Sequence, residues 1–164
     1  MIEIKNFLTE KTCKDCIDFF NKNYSKTEIY NKRKKLNLLN LTKINLKIKK
    51  LIDKYSKIYP GYNISNFEIL KWPIGEYHDW HTDTIYYDKT TITYLNKGYK
   101  GGKTTVDNYT VKPETGKIIL FDSGIRHKVS PLIEGERYVI LVWYNLIKRE
   151  ELWKNLESKY LHIN

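Results

Sequence analysis

The chain of 164 residues is long enough for one domain with a substantial core, and its 41% hydrophobic content excludes wholesale disorder. Aromatic residues make up 14% of the sequence and methionine occurs once, so we expect the aromatic side chains to provide much of the burial. The 29 basic and 19 acidic residues give a net charge of +10, which favours acidic peptides, carboxylate metabolites or nucleic acid as partners. Lysine is abundant together with asparagine, isoleucine and tyrosine, so a general compositional drift also accounts for this charge.

The start of the chain has no apolar segment of the kind that directs secretion, because charged residues interrupt Met1–Ile17 throughout. No apolar run approaches the ~20 residues that cross a bilayer, so we expect no membrane partner and a cytoplasmic location. Cys13 and Cys16 could be redox-active or form half of a zinc site, but no second cysteine pair completes such a site. Their spacing on a predicted helix instead favours burial as small hydrophobic side chains.

Residues 1–60 are predicted to form a helical support for the rest of the chain. In order, the predicted elements are a strand at Ile2–Phe7, a helix at Glu10–Asn21, a loop at Asn21–Lys35 and a mostly helical segment at Leu38–Tyr59. Thr9 is a favourable N-cap for the first helix, in which apolar residues recur at helical spacing. Pro60 and Gly61 end the second helical segment.

From residue 61 the pattern changes to short strands separated by turn residues. The predicted strands are Asn63–Trp72, Tyr77–Thr82, Thr90–Leu95, Lys103–Val106, Thr110–Lys112, Lys117–Phe121, His127–Ser130 and Arg137–Tyr144. Because no helices intervene, residues 61–147 are predicted to form a sandwich or barrel. A helix is predicted within residues 148–164, which gives a single α+β domain with a mainly β core and no internal repeat.

A histidine and a carboxylate, His81 and Asp83, lie two residues apart in the Tyr77–Thr82 strand and its end. Side chains at this spacing on an extended strand point to the same face. One imidazole and one carboxylate on a common face supply two of the three ligands of a 2-His-1-carboxylate iron site. The pair occurs often by chance, so the prediction depends on a third ligand. His78, three residues before His81, is expected on the opposite face and is left out.

His127 is the candidate third ligand, and it shares one strand face with Val129. Arg137 begins the most apolar strand, and the turn residues between the two strands would let them pair antiparallel. Iron held by two histidines and a carboxylate keeps open positions for a 2-oxo acid and O2. The planar guanidinium of Arg137 could then hold the far carboxylate of a dicarboxylic cosubstrate by two charge-assisted hydrogen bonds.

In this order the motifs resemble those of the 2-oxoglutarate- and Fe(II)-dependent dioxygenases, specifically the prolyl 4-hydroxylase branch. The resemblance runs from Phe67 to Asn145, about half of the chain. The segments that carry it are Tyr77-x-x-x-His81-x-Asp83, Thr93-Tyr94-Leu95-Asn96, Gly101-Gly102-Lys103-Thr104, Pro113-x-x-Gly116 with Ile119-Leu120-Phe121, Arg126-His127-x-Val129, and Gly135-Glu136-Arg137-Tyr138-Val139 continuing to Trp143-Tyr144. Each segment alone is weak, whereas the ordered set is specific.

The resemblance implies a double-stranded β-helix (jelly-roll) fold and a set of site residues. The implied metal ligands are His81, Asp83 and His127, and the implied cosubstrate residues are Arg137, Tyr94, Tyr77 and Trp143. The implied cofactors are Fe(II), 2-oxoglutarate and O2, with ascorbate as a reductant. The chain departs from many relatives at Leu141, where they place a serine or threonine.

The activity that the resemblance implies is hydroxylation of an unactivated C–H bond, coupled to decarboxylation of 2-oxoglutarate to succinate and CO2. An aromatic and basic rim favours a peptidyl proline as substrate; the residues of this predicted rim are Trp72, Tyr86, Tyr87 and Lys89. A free amino acid, another side chain or nucleic acid are alternatives. Nucleic acid is disfavoured, because the Arg-x-Asn-x-x-x-Arg pattern of nucleobase-demethylating relatives does not follow Arg137. A β-sandwich binding module without catalysis is the remaining alternative.

Overall fold

The structure, a computed structural model, describes residues 1–30, 32–41, 46–83 and 86–148. The helices in these residues are α1 (Glu10–Lys22) and α2 (Leu46–Ser56). The strands are β1 (Ile2–Ile4), β2 (Glu28–Tyr30), β3 (Arg33–Asn37), β4 (Tyr62–Trp72), β5 (His78–His81), β6 (Lys89–Tyr94), β7 (Lys100–Gly101), β8 (Thr104–Val106), β9 (Tyr109–Thr110), β10 (Ile118–Asp122), β11 (His127–Val129), β12 (Leu132–Glu134) and β13 (Arg137–Leu146). None of the helices described is long and apolar enough to cross a membrane.

Two antiparallel sheets form the body of the fold. The major sheet has seven strands in the order β1-β10-β6-β13-β4-β3-β2, and the minor sheet has four in the order β5-β11-β8-β9. Strands β12 and β7 pair separately. Buried residues of the two large sheets, such as Ile92 and Val129, belong to one hydrophobic cluster, so the sheets face each other. The predicted α+β class, with a mainly β core of the double-stranded β-helix type, is confirmed.

Strand β13 is buried on both of its faces. Its even-numbered residues pack with α1 and α2 in one cluster; these residues are Tyr138, Ile140, Val142 and Tyr144. Its odd-numbered residues Val139 and Leu141 pack between the two sheets. A strand that is covered on both sides carries apolar residues on both faces, so polar and apolar residues do not alternate along it. This explains why Arg137–Tyr144 is the most apolar stretch of the sequence.

The two helices cover the outer face of the major sheet. Thr9 is the N-cap of α1, as predicted, and its hydroxyl accepts a hydrogen bond from the Thr12 N–H at 3.1 Å. Cys13 and Cys16 are free and buried in the apolar face of this helix, also as predicted. From α2, the Tyr55 hydroxyl reaches the sheet and shares a buried hydrogen bond with Thr93 at 2.6 Å. This bond fixes the helix against the centre of the sheet.

The N-terminal third contains strands that the sequence did not predict. The predicted loop at Asn21–Lys35 is wrong, because β2 and β3 pair there as a hairpin and β3 extends the major sheet beside β4. All residues of β2 are exposed, so the hairpin has no apolar alternation to reveal it. Helix α2 begins at Leu46 rather than at Leu38, and Leu39–Leu41 forms a 3-10 turn. The predicted C-terminal helix at Glu150–Tyr160 lies outside the described residues.

The predicted pairing of the His127 strand with the Arg137 strand is also wrong. Strand β11 pairs with β5 and β8 in the minor sheet, whereas β13 pairs with β4 and β6 in the major sheet. Between them, Leu132–Glu134 forms β12 and pairs with β7. The chain therefore crosses from one sheet to the other between His127 and Arg137, and the two residues face each other across the space between the sheets.

Candidate metal and cosubstrate site

The structure brings the three predicted metal ligands together. One ligand atom each from His81, Asp83 and His127 lies within 4.8 Å of the others. His81 at the end of β5 is the cross-strand partner of His127 at the start of β11. Asp83 follows the end of β5, and its N–H donates to the Ser123 carbonyl at 2.8 Å. Asp83 therefore approaches His81 from a loop that this backbone hydrogen bond holds in place. The sequence had predicted instead that strand alternation would put both side chains on one face.

Backbone contacts select the ring nitrogen that each histidine offers. Nδ1 of His81 lies 2.7 Å from the carbonyl of Asp79, and Nδ1 of His127 lies 3.0 Å from the carbonyl of Ile125. A carbonyl only accepts, so each Nδ1 carries the proton and each Nε2 has a free lone pair. The two Nε2 atoms lie 3.8 Å and 3.6 Å from oxygens of Asp83. Burial lowers the pKa of His127, which favours its neutral, metal-binding form.

The carboxylate of Asp83 is held at one of its two oxygens. Oδ2 accepts a hydrogen bond from the indole N–H of Trp143 at 2.9 Å and another from the Thr90 hydroxyl at 3.1 Å. Thr90 is in turn hydrogen-bonded to Ser123 at 2.8 Å. No hydrogen bond from any residue described here uses Oδ1, which keeps its lone pairs for a cation. Two neutral imidazoles and one carboxylate on three adjacent positions fit Fe(II).

His78 lies against the site, contrary to the prediction that it faces away. Its ring stacks on that of His81 with centroids 3.6 Å apart. The register of β5 against β11 explains this, because the step from His81 to His78 faces the shorter step from His127 to Val129. The extra residue is a β-bulge, and it returns His78 to the face of His81. Burial, with the neighbouring His81 and Arg33, lowers the pKa of His78 to about 4.

A cavity of about 510 Å³ extends from the three ligands to Arg137. Arg137 is 1% exposed, yet the described residues place no carboxylate within ion-pair distance of it. Its Nη2 donates to the Thr104 hydroxyl at 3.1 Å, whereas Nε and Nη1 are buried without a partner. Its guanidinium lies over the Trp72 ring, 4.7 Å from the centroid. A buried cation is costly unless an anion pairs with it, so this end of the cavity fits a carboxylate.

Tyr94 adds a donor beside Arg137. Its side chain is fully buried, its ring centroid is 5.9 Å from the Arg137 guanidinium carbon, and its hydroxyl has no hydrogen-bond partner among the described residues. Burial raises the pKa of Tyr94, so the phenol stays protonated and donates. Arg137 and Tyr94 thus present unused donors of the kind that the far carboxylate of 2-oxoglutarate requires.

Two of the predicted residues lie away from the cavity. Tyr77 is 52% exposed and is not part of the cavity wall. Lys89, predicted for a substrate rim, instead pairs with Asp122 on the far side of the sheet, next to the rings of Tyr59 and Tyr62. The other members of the predicted rim, Trp72, Tyr86 and Tyr87, do line the cavity.

Sequence reasoning missed the hydroxyl groups that support the site. Thr90 holds Asp83 and Thr104 holds Arg137, and both are buried in strands. Threonine is common in strands for reasons of packing, so neither residue stands out in the sequence. The sequence offers one signal for them, the three threonines Thr90, Thr91 and Thr93 in a central strand. Buried hydroxyls need hydrogen-bond partners, so such a group indicates polar contacts inside the fold.

Comparison with known proteins identifies the segment that carries the site. Residues 67–145 match the family model described as the 2OG-Fe(II) oxygenase superfamily, which is just under half of the chain. Among curated proteins, none matches this sequence.

Similar solved structures cover most of the chain. The viral collagen prolyl hydroxylase of Paramecium Bursaria Chlorella virus-1 superposes with a TM-score of 0.63 at 17% identity, over 89% of this chain and 95% of that one. A prolyl hydroxylase from Trichoplax adhaerens, in complex with a hypoxia inducible factor peptide fragment, gives 0.67 at 20% identity, over 92% and 86%. The 2-oxoglutarate-dependent epimerase SnoN of nogalamycin biosynthesis gives 0.70 at 10% identity, over 88% and 76%.

At these identities the structural likeness shows the fold, which hydroxylases and an epimerase share. The sequence match covers the segment that contains the candidate ligands and Arg137. Residues 67–145 therefore match the 2OG-Fe(II) oxygenase superfamily both in sequence and in fold.

Proposed function

We propose that this protein is an Fe(II)- and 2-oxoglutarate-dependent hydroxylase that acts on a peptidyl proline. The observation that carries the proposal is a single cavity with two chemically different ends. One end has His81, Asp83 and His127 with free ligand atoms, and the other has the buried and unpaired Arg137. A dicarboxylic 2-oxo acid has matching ends, because one chelates a metal and the other pairs with a guanidinium.

Each residue has a definite task in this proposal. His81 and His127 would bind Fe(II) through Nε2, and Asp83 through Oδ1. The bound iron would supply the activation of O2 that decarboxylates 2-oxoglutarate and oxidises the substrate C–H bond. Apolar side chains in the cavity wall, such as Ile92 and Val139, exclude water from the cosubstrate and strengthen its pairing with Arg137.

Aromatic side chains near the metal ligands support a peptide substrate. Tyr87 stacks on Trp143 with centroids 5.1 Å apart, and Tyr86 beside them is 72% exposed. Aromatic-lined grooves bind extended, proline-containing segments well, because the pyrrolidine ring packs flat on an aromatic face. Prolyl hydroxylases are among the proteins of the same fold, one of them with a bound peptide.

A product screen tests the proposal. The protein is incubated with Fe(II), 2-oxoglutarate and ascorbate as reductant, together with a library of proline-containing peptides. We expect succinate and a peptide that is heavier by one oxygen, located on proline by fragmentation. Free amino acids, proline-free peptides and single-stranded DNA or RNA run in parallel. Oxidation of one of these, with every prolyl peptide unchanged, would replace the proposed substrate and keep the chemistry.

Matched variants separate catalysis by the site from background oxidation by free iron. We expect Asp83→Ala to abolish both products, because it removes the only anionic ligand. Asp79→Ala is the control, because this exposed side chain is four residues away and its backbone carbonyl still holds His81. Full activity of Asp83→Ala would exclude the assigned metal site.

A further inference from the structure

Several buried polar atoms without a partner in the described part of the chain lie around Arg137. They are Nε and Nη1 of Arg137 itself, the indole nitrogen of Trp72, over whose ring the guanidinium lies, and the hydroxyls of Tyr94 and Tyr99. Tyr99 is in the loop between β6 and β7 and belongs to none of the motifs discussed so far. Buried donors without partners are rare in folded proteins, and a local group of them indicates a missing acceptor.

The backbone brings Tyr99 next to Arg137 through two glycines. A Cβ atom on Gly102 would lie 2.9 Å from Cδ of Arg137 and 3.5 Å from Cε2 of Tyr99, so the two side chains border the same point. A Cβ on Gly135 would lie 3.2 Å from both Cα and Cβ of Tyr99, which shows how closely the β12–β13 turn packs on this loop. The position of the Tyr99 ring is therefore fixed by its surroundings.

A carboxylate that pairs with Arg137 keeps lone pairs for the two phenols. An ionised carboxylate has two oxygens with about four lone-pair sites. One edge of the Arg137 guanidinium supplies two N–H donors, so the hydroxyls of Tyr94 and Tyr99 can donate to the lone pairs that remain. Leu141 in the cavity wall provides no donor. Burial raises the pKa of Tyr99, while the charge of Arg137 opposes this, so the phenol remains a protonated donor.

We propose that Tyr99, together with Tyr94, donates a hydrogen bond to the far carboxylate of 2-oxoglutarate and so determines the preference for a dicarboxylic cosubstrate. This inference rests on the part of the proposed function that makes 2-oxoglutarate the cosubstrate, and not on the identity of the oxidised substrate. Without the dicarboxylate, the donors of Arg137 and of the two phenols stay desolvated and unpaired, which disfavours 2-oxo acids that lack a second carboxylate.

Binding measured without turnover tests this assignment. The protein loaded with Mn(II) is titrated calorimetrically, in the absence of O2, with 2-oxoglutarate or with 2-oxobutyrate, which lacks the far carboxylate. For Tyr99→Phe we expect about tenfold weaker binding of 2-oxoglutarate, the loss typical of one hydrogen bond to a charged group. Binding of 2-oxobutyrate should be unchanged. Tyr109→Phe, at a tyrosine that is 53% exposed on β9, is the matched control and should bind both acids normally.

Thermal stability distinguishes this role from a structural one. The Tyr99 hydroxyl has no partner, so Tyr99→Phe should melt at the same temperature as the parent protein or higher. An unchanged affinity for 2-oxoglutarate would overturn the assignment of Tyr99 alone. An equal loss for both acids would also overturn it, because a distorted site would be the cause. If the unaltered protein binds neither acid, 2-oxoglutarate is not the cosubstrate, and the proposed function fails with the inference.

Discussion

At the scale of single residues, the two oxygens of the Asp83 carboxylate have different roles. Trp143 and Thr90 both donate to Oδ2, whereas Oδ1 is free. The two donors fix the direction of the carboxylate before any metal arrives. Groups that orient a metal ligand in this way typically change metal affinity by 10- to 100-fold when they are removed. The site therefore depends on residues that never touch the metal.

Removing the indole donor should weaken metal binding without removing a ligand. We expect Trp143→Phe to bind Mn(II) about tenfold more weakly, because Asp83 keeps only the Thr90 hydrogen bond. Calorimetric titration of the metal-free protein measures this. Trp80→Phe is the control, because Trp80 is 40% exposed and lies outside the cavity. Equal affinities for Trp143→Phe and the parent protein would contradict the proposed support of Asp83.

Gly102 is required for the position of Arg137, and a pair of alanine variants can show this. Gly98 and Gly102 both have positive φ, of 91° and 57°, so alanine strains the backbone at either position by about 1 to 2 kcal/mol. Only at Gly102 does the new Cβ meet Arg137, whereas nothing lies within 4 Å at Gly98. We expect Gly102→Ala to lose 2-oxoglutarate binding and Gly98→Ala to keep it. Similar binding by the two variants would show that the close approach is not needed.

At the scale of elements, α2 is joined to the sheet by a polar contact inside an apolar interface. The Tyr55–Thr93 hydrogen bond is fully buried, and Tyr55 also packs on Phe7 and Phe67 with ring centroids 5.1 Å and 4.9 Å away. A buried hydroxyl that loses its partner costs about 1 to 3 kcal/mol. The helix and the central strand are therefore coupled more strongly than their apolar surfaces alone require.

Tyr55→Phe should accordingly destabilise the protein. We expect a loss of about 1 to 3 kcal/mol in the free energy of unfolding, because the Thr93 hydroxyl remains buried without a partner. Denaturant titration followed by circular dichroism gives this value. Tyr24→Phe, at a tyrosine that is 46% exposed, should change it by less than about 0.5 kcal/mol. A similar free energy for both variants would show that α2 is held by apolar contact alone.

The sequence predicted the strands after residue 61 well, because buried apolar runs and turn residues mark them. It failed at β2 and β3, because every residue of β2 is exposed and β3 buries only Arg33 and Leu36. It named the three candidate ligands that the structure brings together, but not the path of the chain between them. The bulge that returns His78 to the site and the crossing between β11 and β13 are properties of strand register. Register depends on contacts between distant segments, which single-sequence patterns do not contain.

At the scale of the whole molecule, the candidate site lies between the two sheets and draws its side chains from both. His81 and His127 belong to the minor sheet, while Trp143 and Thr90, which hold Asp83, belong to the major sheet. A bound metal would therefore bridge the two layers. A ligand that binds only the folded state raises its stability in proportion to the logarithm of its concentration.

Metal addition should therefore raise the melting temperature of the metal-free protein. We expect the rise with Mn(II) or Zn(II) to disappear in Asp83→Ala and to persist in Asp79→Ala, since the exposed Asp79 side chain is not a candidate ligand. Acidification should reduce the rise, because protonated histidines cannot bind a cation. Differential scanning fluorimetry measures each case. A rise that survives in Asp83→Ala would place the bound metal elsewhere.

Strand β13 fixes the spacing between two residues at opposite ends of the candidate site. Arg137 and Trp143 are six residues apart on it, an even number, so both face the cavity at a separation of about 20 Å between Cα atoms. One inserted residue would send Trp143 to the helix side, and two would lengthen the gap by about 7 Å. The number of residues between Arg137 and Trp143 thus keeps both side chains on the cavity side of the strand. A substitution on β13 leaves this spacing unchanged, whereas an insertion or a deletion between Arg137 and Trp143 alters it.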